Sequence, residues 1–555
     1  MALLSFGVIF LGATCVTFPN LGGMGLSLPF NNVVWLTTIL FIYVAVSISS
    51  KKKLWIVPEN VLISLLLVLF LIFPLIWSDD ITGRGLYRLV GVVIGMAFFL
   101  SLFSVFTPDK ERGLLIIIAI SGFIEASWGL LQLFSNLYGW SLWQAGRPAG
   151  VFQQPNVFAS YLATTYMAGL TLLFRFPFSD EKRNRLMLAG VIFFSYLVGI
   201  LIFTLQSRTG YLSLAVALLL MMIAGKKSPK KNMWLPTFFL ALGAVIGIIN
   251  IGSTGNPDRN LLDTLSNPAT VVAVSSSGRD VIWSVSWEML KNNWLFGVGY
   301  GNFEPSFLEY QAQHFLKYGG DVYPFTNHPH NELLLWAVEG GFLPGAALIL
   351  YSIYIIWRMY KLGWQALPYA AMLIPLAIHA LLEYPFYHSS IHWILFLTIL
   401  FLFELHASKS VKKEFKYKTF LKGITLLATL SAVVFFMTSL HAAYVVKKYY
   451  ETGPEKRNIL MLENIVNPVS VQPYLDYIAL NSILTYGLAT RDKPSLGTFL
   501  ELANDEVRKY PRPGLYLGIL HAYKALGDED KFDEVLKKAV YYYPLDKRFR
   551  KLAFH

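Results

Sequence analysis

Apolar runs of roughly 18 or more residues recur along this chain of 555 residues and alternate with short polar connections. A run of that length crosses a bilayer core of about 30 Å as a helix, which satisfies its own backbone hydrogen bonds. The pattern predicts an all-α fold, a polytopic transmembrane helix bundle of about 13 spans. We place these spans at residues 2–19, 33–49, 57–77, 87–106, 114–135, 157–175, 186–205, 210–224, 234–252, 331–357, 364–382, 391–405 and 420–440.

Two segments interrupt the alternation and indicate domain organisation. Residues 253–330 form the longest connection, and residues 441–555 form a tail of mixed composition, large enough for a separate domain. The predicted organisation is an N-terminal transmembrane region (1–252), an extramembrane loop with interfacial helices (253–330), a C-terminal transmembrane region (331–440) and a helical domain (441–555).

Both polar segments contain helical patterns. Four apolar residues of the loop recur at helical spacing, which is typical of an amphipathic helix in the membrane interface; they are Trp283, Trp287, Leu290 and Trp294. An aromatic belt and a sugar-binding platform are both open for this stripe. The tail approximates a tetratricopeptide helix pair through Tyr516, Ile519, Leu520, Tyr523, Phe532, Leu536, Ala539 and Pro544, with further helices expected at 454–466 and 471–487. Such pairs bind extended chains, although simple capping is also open.

Composition and charge agree with a membrane protein. Hydrophobic residues make up 55% of the chain and charged residues 14%, and the mean hydropathy is +0.51. One cysteine, Cys15, excludes an internal disulfide, and without a basic leader or a good cleavage site the N-terminal run is expected to be a retained span. Most of the net charge of +12 lies in short connections, so it indicates membrane topology and not nucleic-acid binding.

The basic connections define the orientation. Every second connection is rich in lysine and arginine, beginning with Lys51-Lys52-Lys53, and the positive-inside rule makes that side cytoplasmic. The N-terminus is then cytoplasmic and the tail lies outside. By the same parity, the following residues fall on the external face: Arg84, Arg88, Arg147, Arg208, Arg279, His330 and Glu383. An arginine on that face is interpreted either as an anion ligand or as a snorkelling interfacial residue.

The segment His328-Pro329-His330-Asn331-Glu332 joins the long loop to an apolar run, and it carries the strongest candidate chemistry. A histidine at this boundary can accept a proton near neutral pH from a reactant that approaches from water. A zinc site built from His328, His330 and Glu332, with His314 in support, is an alternative. We predict no metal and no cofactor.

The same segment resembles the signature of the bacterial O-antigen ligase and polymerase superfamily. That signature reads His-Asn, nine residues, Gly, two residues, then Gly, Thr or Tyr. His330-Asn331 is followed by nine residues and Gly341, but Pro344 stands where the small residue is expected, with Gly345 just after it.

Four further elements are similar to this superfamily. Gln154-Pro155-Asn156 and Leu382-Glu383-Tyr384-Pro385 resemble its protein-glycosylating branch, the O-linked oligosaccharyltransferases that modify periplasmic proteins such as type IV pilins. Ser207-Arg208-Thr209-Gly210 and Ser277-Gly278-Arg279-Asp280 resemble the arginine elements that such ligases place at the lipid diphosphate.

The resemblance implies an enzyme of the bacterial inner membrane with a periplasmic active site. It would move a preassembled glycan from undecaprenyl diphosphate to a Ser or Thr of an exported, pilin-like protein, without a nucleotide. His330, Asn331 and Glu383 would be catalytic, with His330 as the base. Arg208 and Arg279, supported by Arg84, Arg88 and Arg147, would bind the diphosphate, because guanidinium groups pair bidentately with phosphate oxygens. The substrate-binding residues would be Gln154, Asn156 and His328.

Several alternatives stay open at this point. The acceptor could be the lipid A core or a growing glycan, which would make the protein a ligase or a polymerase. Glu383 could replace His330 as the base. Glu125 and Glu339, which lie in apolar runs, have either a structural or a catalytic role. Less expected readings are a lipid or glycan transporter and an assembly scaffold that uses only the tail.

Overall fold

The computed structural model describes residues 1–17, 20–78, 83–138, 147–176, 182–227, 234–249, 278–323, 325–453 and 458–553; the side chains at 83, 84, 137, 182–184 and 553 are not included. The described part of the chain is 81% helical and confirms the all-α polytopic fold. Two predictions fall wholly or partly on residues outside this description: the role of the Arg84 side chain, and the predicted loop at 253–330, of which residues 253–277 are not described.

The described residues form 22 α-helices. In chain order they are α1 (Ala2–Ala13), α2 (Pro29–Lys52), α3 (Val61–Ile72), α4 (Gly83–Val105), α5 (Glu111–Tyr138), α6 (Pro155–Arg175), α7 (Lys182–Thr204), α8 (Arg208–Lys226), α9 (Trp234–Ile249), α10 (Arg279–Asn292), α11 (Phe303–Tyr318), α12 (Glu332–Gly340), α13 (Phe342–Leu362), α14 (Leu367–Leu382), α15 (Pro385–His388), α16 (Ser390–Ala407), α17 (Lys418–Glu451), α18 (Gln472–Thr490), α19 (Lys493–Lys509), α20 (Pro513–Leu526), α21 (Glu529–Tyr542) and α22 (Lys547–Ala553).

By length and composition, nine helical segments of the described chain can cross a membrane. Three shorter apolar helices accompany them, and one of the nine segments, Phe342–Leu382, contains both α13 and α14. Each of the 13 predicted spans overlaps a helix, while the number that actually cross stays a prediction.

The predicted continuous span at 331–357 is wrong. The structure divides it into α12 and α13 at Gly341, whose φ of +79° is left-handed and ends the first helix. Pro344 is the third residue of α13. The first-turn N–H groups of a helix have no intrahelical acceptor, so proline fits where the signature expects a small residue.

The sequence did not predict strands, but a short sheet is present. Leu54–Pro58 (β1) pairs antiparallel with Ser410–Glu414 (β2), with Trp55 opposite Lys413. The two strands lie in basic connections that the loop parity assigns to the same side of the membrane. Their pairing agrees with that assignment.

The chain divides into two compact units. Unit 1 comprises Met1–Leu65, Val92–Val271 and Tyr351–Ser470, and unit 2 comprises Leu66–Gly91, Val272–Leu350 and Val471–His555. Unit 1 has an apolar core in which α6 is the central helix, buried from Val157 to Phe174. The domain boundaries predicted from the sequence stay predictions.

Unit 2 has its own core, formed by the tail helices together with the loop helix α11. Leu308 of α11 belongs to the same buried cluster as Leu496, Phe499 and Ile519. Glu304 of α11 forms an ion pair with Arg512 at 3.1 Å. The tail helices therefore fix the position of α11 within unit 2. The tetratricopeptide assignment of α20 and α21 stays a prediction.

Candidate functional site

His330 lies in a short turn that precedes α12, and its backbone is left-handed, with φ of +53°. This region is uncommon for residues other than glycine and costs of order 1–3 kcal/mol. Two contacts hold the turn: the His330 N–H donates to Nδ1 of His328 at 3.1 Å, and Trp283 Nε1 donates to the Pro329 carbonyl at 2.8 Å. The His328 and His330 rings lie 4.6 Å apart between centroids. The predicted base is thus fixed by its neighbours and is only partly buried.

Asn331 caps the helix that follows. Its side-chain oxygen accepts the Leu334 N–H at 2.9 Å, as an N-cap residue does. The cap defines where α12 begins and therefore where the preceding histidine points. The catalytic role expected for Asn331 stays a prediction, now accompanied by this structural one.

Arg88, predicted to bind diphosphate, is held inside unit 2. Its guanidinium forms an ion pair and hydrogen bond with Glu339, and both side chains are largely buried. The same group lies 4.9 Å from the ring centroid of Tyr300 and 4.3 Å from that of Trp336. Glu339 also accepts the Phe303 N–H at 3.2 Å. These contacts give Glu339 the structural pairing that the sequence left open, and they tie α4 to α12.

Glu332 is a buried carboxyl that the sequence suggested only as a possible metal ligand. It is the first residue of α12, its exposed fraction is 8%, and Oε1 has no hydrogen-bond partner within the described part of the chain. Burial raises the pKa of Glu332 to about 8, an effect that Arg88 opposes and Glu339 reinforces. Helix α12 is not one of the nine candidate spans. A protonated carboxyl therefore stands two residues after His330 at neutral pH.

The Glu332→Gln variant should become more stable relative to the wild type as the pH rises from about 5 to about 9. The pKa of Glu332 is about 8 in the folded protein against an ordinary value of 4.5. The unfolded chain therefore releases a proton that the folded protein keeps, and the wild type loses stability as the pH rises through this interval. Midpoints of thermal unfolding in detergent, measured across the interval, test this. A difference that does not depend on pH would contradict it.

Glu309 offers a control, because its pKa is shifted in the opposite direction and its contribution to stability depends on pH in the opposite way. Burial alone would raise the pKa of Glu309, but hydrogen bonds from Gln313, Tyr541 and Tyr542 outweigh it and lower that pKa. A lowered carboxyl pKa adds stability above the ordinary pKa and loses it as the pH falls. The disadvantage of Glu309→Gln relative to the wild type should accordingly shrink in acid.

Arg279 begins α10, the helix that also carries Trp283, and is partly exposed. Helix α10 is amphipathic, but its buried residues are Ile282, Val285 and Met289, whereas Trp283 and Trp287 of the predicted stripe are exposed. The Trp283–Pro329 hydrogen bond links this helix to the His330 turn. The roles of Arg279 in donor binding and of α10 in the membrane interface stay predictions.

One end of unit 1 gathers several of the other predicted residues. Asn156, in the first turn of α6, donates from Nδ2 to Oε1 of Glu383 at 2.7 Å. Arg147 donates to the Leu205 carbonyl at 3.0 Å, just before the exposed Arg208 at the start of α8.

The N-termini of α6 and α8 are close to each other at this end of the unit. A Cβ atom on Gly210 would lie 2.8 Å from the Cβ of Ala159. Gln154 is the N-cap residue of α6, so it lies at the same end. The structure thus brings together Arg147, Arg208, Gln154, Asn156 and Glu383.

Sequence reasoning missed Gln206. This residue has φ of +51°, is 4% exposed, and neither atom of its amide has a hydrogen-bond partner among the described residues. It lies in the turn before the N-terminus of α8, where backbone N–H groups favour anions. Ser207 already uses its hydroxyl to cap α8, accepting the Gly210 N–H at 3.0 Å. No spacing pattern marks a lone glutamine, so the only signal was its position beside Arg208.

Glu125 has a structural partner. Its Oε2 accepts the Val151 N–H at 3.2 Å, and Gln132 of the same helix accepts the N–H groups of Ala149 and Gly150 at 2.9 Å each. Together the two side chains hold the segment that leads into Gln154-Pro155-Asn156.

Metal ligation was tested on the donor set. Within the ranges that the structure describes, no three His, Cys, Asp or Glu side chains are grouped so that they could hold a metal ion. His314, considered above as a supporting ligand, instead lies 3.3 Å from Glu288.

Three family models match successive parts of the chain. A model described as protein glycosylation ligase matches residues 148–174, one described as O-antigen ligase matches 191–350, and one described as virulence factor membrane-bound polymerase, C-terminal, matches 369–554. No curated protein and no solved structure matches significantly. The O-antigen ligase match contains His330 and Gly341, and the other two contain Asn156 and Glu383.

Proposed function

Because this chain belongs to the superfamily of O-antigen ligases and protein glycosylation ligases, and is therefore a glycan-transferring membrane enzyme, we propose that it glycosylates an exported protein. The donor is a preassembled glycan on undecaprenyl diphosphate, and the acceptor is a Ser or Thr hydroxyl of a pilin-like protein. The enzyme lies in the bacterial inner membrane with its site facing the periplasm. The observation that carries the proposal is the left-handed His330, held between bonded neighbours in the segment that the ligase model matches.

The reaction exchanges one C1–O bond for another. The acceptor oxygen bonds to C1 of the glycan, the C1–O bond to the diphosphate breaks, and its electron pair stays on the lipid diphosphate. The His330 imidazole takes the hydroxyl proton as attack proceeds, and that proton can later leave to water. Transfer needs no nucleotide, because the lipid diphosphate already carries the activation.

Fixed positive charge stabilises the departing diphosphate in this proposal, without a metal ion. Arg208 and Arg279 are the principal ligands, since both are partly or fully exposed at the first residue of a helix. Arg147 and Gln206, whose amide has no hydrogen-bond partner in the part of the chain that the structure describes, support Arg208. Arg88, already bonded to Glu339, contributes by positioning α12.

The tail domain favours a protein acceptor. A lipid-embedded acceptor needs no soluble docking surface, whereas the helices of the tail form a core with α11, and helix pairs of this kind can hold an extended chain. The match to a protein glycosylation ligase around Asn156 supports the same choice.

The test is co-expression with a type IV pilin in a strain that makes a lipid-linked glycan. The intact mass of the pilin should increase by the mass of the glycan with the wild type and should not change with His330→Ala. A strain that lacks the glycan serves as a second control. If the pilin mass stays unchanged while lipopolysaccharide acquires the glycan, the acceptor is the lipid A core and the protein-acceptor proposal fails.

A second candidate function is glycan polymerisation, favoured by the polymerase model that matches 369–554. In the same co-expression experiment, a polymerase would give a result different from that of a protein glycosylation enzyme. The lipid-linked glycan itself would lengthen by whole repeats, even in the absence of any pilin.

A further inference from the structure

A buried hydrogen-bonded chain runs inward from Glu383 in unit 1. Glu383 Oε2 lies 3.3 Å from Nε2 of His379, and Nδ1 of His379 lies 2.7 Å from the Ser160 hydroxyl. Ser160 continues the chain to Nε2 of His392 at 3.1 Å. His379 and His392 are fully buried, and Ser160 is 1% exposed.

Chemistry assigns the protons along this chain. A carboxylate only accepts hydrogen bonds, and Asn156 already donates to Oε1 of Glu383, so Nε2 of His379 must carry the proton that points to Oε2. Nδ1 of His379 faces the Ser160 hydroxyl, which also lies within donating distance of the Val157 carbonyl at 3.0 Å. On the far side, Nε2 of His392 lies 3.1 Å from the Val157 carbonyl and therefore carries its own proton.

Burying such a polar network inside a helix bundle has a cost in free energy. Buried polar groups in a membrane protein are costly unless they are fully satisfied, and they usually serve a function. Glu383 is the last member of this hydrogen-bonded network. It is the C-cap residue of α14 and lies at the end of unit 1 that also holds Asn156 and Arg208. The network thus supports a carboxylate at the candidate site.

Asn156, Ser160, His379 and Glu383 lie in two of the three matched segments. Asn156 and Ser160 lie in the segment matched by the protein glycosylation ligase model, and His379 and Glu383 lie in the segment matched by the polymerase model. None lies within 191–350, the O-antigen ligase match. Their hydrogen bonds therefore join the segments matched by two different family models at one end of unit 1.

We propose that His379 is a positioning residue for glycan transfer: through Nε2–H it orients the Glu383 carboxylate at the candidate site of unit 1. This inference rests on the proposed function. The Asn156 amide fixes one carboxylate oxygen and His379 the other, so the carboxylate plane has a single orientation.

The test compares two amide substitutions at one position. The amide nitrogen of His379→Gln can occupy the place of Nε2 and still donate to Glu383, whereas the shorter His379→Asn reaches only the place of Nδ1 and leaves Glu383 without that donor. With purified enzyme, lipid-linked glycan and pilin, His379→Asn should lower kcat/KM for the pilin by roughly 10- to 100-fold, the range for a hydrogen bond to a charged group. His379→Gln should be about tenfold more active than His379→Asn. The KM for the donor should stay unchanged in both.

Equal loss in the two variants would overturn the inference, because it would mean that the imidazole itself is required. Equal activity close to the wild type would overturn it as well. Thermal unfolding of each variant in detergent identifies a loss that comes from misfolding, and Ser160→Ala then gives a second test with a loss in the same direction.

Failure of the proposed function is distinguishable from failure of this inference. If the wild type modifies lipid A or its own glycan and not the pilin, the same pair of variants is measured with that acceptor. The difference between His379→Gln and His379→Asn should persist.

Discussion

Replacing His330 with alanine is expected to lower kcat for glycan transfer by roughly 10²- to 10⁴-fold, the usual contribution of a general base. In the proposed reaction the acceptor hydroxyl loses its proton as it attacks C1, and the proposed base is the His330 imidazole, held just before α12. The KM for the donor should change little, because the proposal assigns the diphosphate to arginines. A radiolabelled lipid-linked glycan with purified pilin as acceptor gives the initial rates.

Two controls separate chemistry from backbone geometry. Because His330 has positive φ, alanine keeps the strain, whereas His330→Gly relieves it and should be about 1 kcal/mol more stable than His330→Ala. Both should be equally inactive. His314→Ala removes another histidine of unit 2, paired with Glu288, and should retain transfer. Activity of His330→Ala within tenfold of the wild type would assign the base to another group, with Glu383 the first to test.

The local features of the fold were readable from the sequence. Apolar runs predicted α2 and α6, and in both helices proline occupies the first helical position. A polar Asn331 ahead of an apolar run is a typical N-cap. The periodicity of Trp283 and Trp287 predicted α10. The continuous apolar run through Gly341 led to the wrong prediction of one helix, because hydropathy carries no information about a residue whose positive φ ends a helix.

Long-range pairing could not be read in this way. Arg88 and Glu339 are 251 positions apart, and no local sequence feature of either residue indicates the other as its partner. The same holds for the strands at 54–58 and 410–414. Asn156 and Glu383 were each selected from a short motif, but their direct hydrogen bond needed the packing of α6 against α14. The candidate site was thus predictable as a set of residue types and not as a set of contacts.

Arg88→Met is expected to destabilise unit 2 by about 3–5 kcal/mol, because it leaves the Glu339 carboxylate buried without its partner. Removal of the guanidinium also takes the cation from between Tyr300 and Trp336. Thermal and denaturant unfolding in detergent micelles, followed by tryptophan fluorescence, measure the loss. A change below about 1 kcal/mol would mean that the pair is not buried as described.

The double variant Arg88→Met with Glu339→Leu distinguishes a structural pair from a donor ligand. Apolar replacement of both members of a buried ion pair is often neutral or stabilising, so the double variant should recover most of the lost stability. If Arg88 acts only by tying α4 to α12, transfer should recover together with stability. If stability returns while transfer stays low and the KM for the lipid-linked donor rises, the guanidinium also contacts the diphosphate, because the packing defect has been removed and only the charge is missing.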